Sequence, residues 1–173
     1  MNSIEATAFH QAGHAVAALY HQVPFEQISL HPEECLGMTL LEQCTEAGWE
    51  NELKHRQEAT LIVILAGEMA EKKAAGKISN SAGSEGAWVA ALLGTLEGSE
   101  EIARVYYRYL ALKTRALLDH PYVWETAGKV AGQLLHHQSL DFVQLKCLWH
   151  KVDAETGKVL SEESAGHHAP VFN

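Results

Sequence analysis

Several familiar sources of stability and function are missing from this chain. The three cysteines, Cys35, Cys44 and Cys147, form no C-x-x-C pair and no even-numbered framework, so reduced thiols in a cytoplasmic protein are expected. The apolar runs, Leu61 to Gly67 and Ala87 to Leu93, fall far short of the ~20 residues a membrane-spanning helix needs. The start, Met1-Asn2-Ser3-Ile4-Glu5, lacks the basic-then-apolar order of an export signal. Basic residues are scarce: 13 Lys and Arg stand against 22 Asp and Glu, a formal charge of −9. Such a surface repels a phosphate backbone, so nucleic acid is not an expected partner. No G-x-x-x-x-G-K-[ST] loop is present to cradle ATP, and no G-x-S-x-G turn to present a nucleophilic serine.

What remains is the composition of one ordinary globular domain. The chain has 173 residues, 47% apolar and 20% charged, enough to bury a core and too apolar for wholesale disorder. The pattern predicts a mainly α fold with a short β-ribbon or small sheet near residues 26–42. Residues 1–152 form the domain and 153–173 a polar extension. Ser3 is placed to cap a first helix with the apolar stripe Ala6, Phe9, Gly13, Val16, Ala17 and Tyr20, ending near His21 ahead of Pro24. Gln27–His31 and Gly37–Leu41 read as paired strands. A long helix follows from about Asn51 to Ala75, with Gly76 as its stop. Past the small, polar stretch Ile78–Gly86, further helices are signalled by Ser99 as a cap, Pro121 in a first turn, and Ser139 as a cap.

Eleven histidines are present, and one pair, His10 and His14, is spaced to share a helix face. Two imidazoles one turn apart can present nitrogens to one ion. In the motif H-E-x-x-H, the intervening glutamate takes a proton from zinc-bound water. Here the stretch reads His10-Gln11-Ala12-Gly13-His14, so the ligand spacing is present and the base is replaced by an amide. Chance alone supplies about 0.7 such histidine pairs in a chain of this composition, so the pair gains meaning only from its context.

That context is a resemblance extending over about residues 3 to 150. Thr7-Ala8-Phe9-His10-Gln11-Ala12-Gly13-His14-Ala15-Val16 is similar to the zinc helix of the FtsH-type peptidases, apart from Gln11. Leu36-Gly37-Met38-Thr39 resembles that family's strand beside the active site, which pairs with an extended substrate. Leu65-Ala66-Gly67-Glu68-Met69-Ala70-Glu71 is similar to its glycine- and alanine-rich helix, and Leu134-Leu135 followed by Ser139-Leu140 to its closing helices. The family takes its third zinc ligand, an aspartate, from a loop that matches Ser81-Ala82-Gly83-Ser84-Glu85 here, which puts Glu85 at that position.

The resemblance thus implies zinc held by His10, His14 and Glu85. It also implies Gln11 at a degenerate base position, and Leu36, Gly37, Met38 and Thr39 beside a peptide groove. Only the peptidase half is matched. The expected function is a zinc-binding, metallopeptidase-like domain with hydrolysis weak or lost, holding a peptide or protein partner. Two alternatives stand beside it. One is an active zinc endopeptidase, including one inactivated by an exchanged glutamate; the other is a metal-free interaction protein. Self-association, as a homo-oligomer, is also expected.

Overall fold

The computed structural model of the protein describes residues 1–31, 54–76 and 85–156. The element order is α1 (Ser3–His21), β1 (Gln27–Ser29), α2 (Lys54–Ala75), α3 (Glu85–Glu97), α4 (Glu100–Asp119), α5 (Pro121–His137), β2 (Ser139–Asp141) and α6 (Phe142–Thr156). The fold is mainly helical with a small antiparallel sheet, as the sequence pattern predicts. Among the described residues no helix is long and apolar enough to cross a membrane.

Helix α1 is the centre of the molecule. It packs on α2 along one side and on α5 along another, while α2 and α3 both pack on α4, and α5 packs on α6. Its start is fixed by a capping box: Asn2 Oδ1 accepts from Glu5 N–H at 2.8 Å and Glu5 Oε2 accepts from Asn2 N–H at 2.9 Å. The cap is therefore Asn2, not Ser3. The reciprocal bond needs an acceptor three residues before Glu5, and Asn2 occupies that place. The helix ends at Gln22, whose left-handed φ of 56° turns the chain before Pro24.

Small residues on α1 set how closely α2 can approach. A Cβ on Gly13 would lie 2.4 Å from the Ala66 carbonyl oxygen and 2.5 Å from Ala70 Cβ, so the crossing is possible only with glycine there. Ala8, Ala12, Ala15, Val16 and Ala17 on α1 meet Leu61 to Ala66 and Ala70 of α2 in a continuous buried core. α2 stops as expected at Gly76, at φ 71°, whose N–H donates to Lys72 O at 2.8 Å.

The sheet differs in part from the expected ribbon. Among the described residues β1 pairs with β2, in the register Gln27↔Asp141, Ile28↔Leu140 and Ser29↔Ser139. Ile28 and Leu140 point into the core. The expected second strand, 37–41, lies outside the described residues. Ser139 is accordingly a strand residue and not a cap. The cap of α6 is Asp141, whose Oδ1 accepts from Gln144 N–H at 2.8 Å while Gln144 Oε1 accepts from Asp141 N–H at 2.9 Å. Ser99 and Pro121 open α4 and α5 as predicted.

Candidate metal centre

Three helices contribute to one buried polar cluster. His10 and His14 are one turn apart on α1, Glu85 is the first residue of α3, and Gly67 and Glu71 belong to α2. His10, His14 and Glu85 are 5%, 0% and 3% exposed. Their nitrogen and carboxylate atoms come within 4.8 Å of one another, close enough to share an ion. Among the described residues no other His, Cys, Asp or Glu group does so.

The ring orientations follow from what lies behind them. His14 Nδ1 is 2.8 Å from the Val63 carbonyl oxygen. A carbonyl can only accept, so this nitrogen carries the proton and Nε2 keeps its lone pair. His10 Nδ1 is 3.2 Å from Glu71 Oε2, a buried carboxylate that fixes the same tautomer. Both Nε2 atoms then face inward, 3.1 Å apart. Glu85 bridges the front of the pair, with Oε1 at 3.3 Å from His14 Nε2 and Oε2 at 3.3 Å from His10 Nε2.

These separations are compatible with a shared ion. Ligand bonds of about 2.0–2.1 Å in a tetrahedral zinc site place neighbouring donor atoms about 3.3–3.4 Å apart. The two nitrogens and the two oxygens that face them lie at that spacing. Two lone pairs and a carboxylate brought together away from water repel unless a cation or a proton lies among them. When acid protonates the two imidazoles of the metal-free protein, burial still acts to raise the Glu85 pKa, but the charges and hydrogen bonds of His14 and His10 outweigh it and hold the carboxyl well below the usual range.

Gly67 borders the centre, and Gln11 is buried on the same helix as the two histidines. A Cβ on Gly67 would lie 2.3 Å from His14 Nε2 and 2.8 Å from His10 Nε2, so glycine keeps open the space beside both nitrogens. Gln11 is 2% exposed, and its Oε1 has no hydrogen-bond partner among the described residues. An amide buried in this way costs about 1–3 kcal/mol, a debt a bound group or water can remove. The donor set and the room left by Gly67 fit a bound metal ion.

The expected ligands His10, His14 and Glu85 are thus brought together, and Gln11 lies on the same buried helix. Leu36, Gly37, Met38 and Thr39, and the loop 81–84 before Glu85, lie outside the described residues. Sequence reasoning singled out Glu71 on the helix set against α1 but not its contact with His10, and it missed the Val63 carbonyl behind His14 and Gly67 as the spacer. Gly67 and Glu71 share one face of a helix, a signal present in the sequence. The Val63 carbonyl leaves no trace in side-chain pattern. Comparison of the chain with protein-family models, curated proteins and solved structures returns no significant match.

Proposed function

We propose that this chain is a zinc-binding domain of the FtsH peptidase type, with peptide hydrolysis weak or lost, that holds a peptide or protein partner. The observation that supports it most is the convergence of both histidine Nε2 atoms on Glu85, with each Nδ1 anchored from behind. Zinc favours this donor set over calcium or magnesium, which select all-oxygen cages. Bound there, zinc supplies a Lewis acid able to polarise a carbonyl.

The chain's own residues then define what the site lacks. Gln11 occupies the place of a general base, and an amide takes up no proton near neutral pH. General-base catalysis is worth about 10²–10⁴ in rate, which sets the expected deficit. Glu71 is no substitute, because its Oε2 is engaged by His10 Nδ1. Gln11 remains able to accept a hydrogen bond through Oε1, so it can orient a bound group it cannot deprotonate. The peptide-holding role rests on the resemblance of Leu36-Gly37-Met38-Thr39 to a substrate-pairing strand.

Peptide cleavage measured on the zinc-loaded chain and on Gln11→Glu tests this reading. The glutamate variant is expected to cleave at least about a hundredfold faster. Equal, measurable rates would mean that another group serves as base and that the domain is a working peptidase, and no cleavage by the glutamate variant would count against the peptidase type.

A further inference from the structure

Helix α4 carries two apolar faces, and among the described residues only one of them is packed. Ala103, Leu110, Thr114, Leu117 and Leu118 are buried inward. Ile102, Val105, Tyr109 and Leu112 are 54%, 66%, 46% and 56% exposed, and Ala116 continues the line. The spacing is 3, 4, 3 and 4 residues, the a/d seam of a helix pair, whereas isolated surface apolar residues show no period. The seam spans 15 residues from Ile102 to Ala116, a rise of about 21 Å at 1.5 Å per step. Beside it lies a groove of about 630 Å³ where α3 ends against α4, lined by Glu97, Glu101, Ile102, Val105, Tyr106 and Tyr109.

We infer that this face is the site at which a second copy of the chain docks, α4 against α4 and antiparallel. Charge at the two ends of the seam favours a second copy running antiparallel. The acidic groups Glu97 and Glu101 flank the start of the seam, and Arg115 flanks its end. An antiparallel pair that sets Ile102 against Leu112 of the second copy, and Val105 against its Tyr109, also sets Glu101 against its Arg115. The two-fold axis repeats every one of these contacts. A parallel pair would bring the acidic ends together and align the two helix dipoles unfavourably. Leu112 of the second copy would then enter the groove beside Ile102. Arg108 meets its own copy near the axis, an unfavourable contact. The seam is also shorter than a standard interface of roughly 1,600 Å² requires, so the dimer forms reversibly with concentration.

This inference uses no residue of the metal centre. Sedimentation velocity across a dilution series is expected to show a shift from the 19.0 kDa chain to twice that mass. Val105→Asp, at an exposed position that leaves the fold intact by circular dichroism, should raise the dissociation constant at least about tenfold. Glu101→Arg should weaken association, and Glu101→Arg combined with Arg115→Glu should restore it. A monomer at every concentration, a dimer indifferent to Val105→Asp, or a charge reversal that fails to rescue would each overturn the proposal.

Discussion

Helices α1 and α4 break the usual surface rule in opposite directions. α1 buries polar side chains, His10, Gln11 and His14, along a helix that is enclosed on nearly all sides. α4 exposes apolar ones, Ile102, Val105, Tyr109 and Leu112, on a helix whose inner face is already packed. A buried polar group and an exposed apolar stripe are the informative departures from ordinary burial, because each costs free energy unless something binds. The remedy differs with the chemistry. The polar cluster calls for a cation, and the apolar seam for another helix.

The α1 side should respond most strongly to substitution. His14→Ala removes a ligand and is expected to lower zinc affinity more than about a hundredfold, beyond the 10–100-fold typical of losing an outer partner. Glu71→Gln removes only the carboxylate behind His10 and should fall within that 10–100-fold range, with both effects read by zinc titration against a competing chelator. If the two variants lose equal affinity, the division between ligand and orienting residue fails.

Acid should act on the same cluster in two stages. Zinc binding requires neutral imidazoles, so affinity is expected to fall as acid protonates His10 and His14. The Glu85 carboxyl is held below its ordinary range in the folded chain. A lowered folded-state pKa contributes stability above the unfolded value, and that stability is lost as pH falls through the folded one. The metal-free protein should therefore lose stability below the ordinary carboxylate range, and Glu85→Gln should flatten this acid limb in denaturant melts at successive pH values.

Packing and surface changes are expected to be smaller. Gly13→Ala forces a methyl toward the Ala66 carbonyl, where backbone cannot yield cheaply, and should cost about 1–3 kcal/mol by urea unfolding. Least of all, Glu58→Gln breaks the 2.5 Å contact with Lys113 at the surface of α2 and α4, worth at most about 1 kcal/mol. It should also ease the Tyr106 hydroxyl, pushed up to about 12 by burial and by Glu58, back toward the usual tyrosine value in an ultraviolet titration.

Most of the helices were legible because they carry local signals; α3 was not, since the stretch to Gly86 reads as a loop and Ala87 to Leu93 as a bare apolar run, whereas the helix begins at Glu85. Ser99, Pro121 and Gly76 lie where such residues stop or start helices, and the stripe on α1 has the right period. The sheet was less legible. β1 and β2 have three residues each and lie more than a hundred positions apart, so no hairpin turn announces their pairing. The cap of α1 was misplaced by one residue because Ser3 and Asn2 are both good caps, and only the reciprocal bond to Glu5 distinguishes them. At the metal centre the ligand spacing on α1 was readable, while the arrival of Glu85 from α3 depended on likeness in the preceding loop. The outer partners depend on where α2 crosses α1, which the glycines permit but do not specify.

The central claim is that one ion belongs among His10, His14 and Glu85. A crystal of the tag-free protein grown with zinc, with anomalous data collected on both sides of the zinc edge, tests it most directly. The account predicts a single strong peak within bonding distance of both Nε2 atoms and the Glu85 carboxylate. Saturating zinc with no density there, or with the imidazoles turned away from each other, would contradict it.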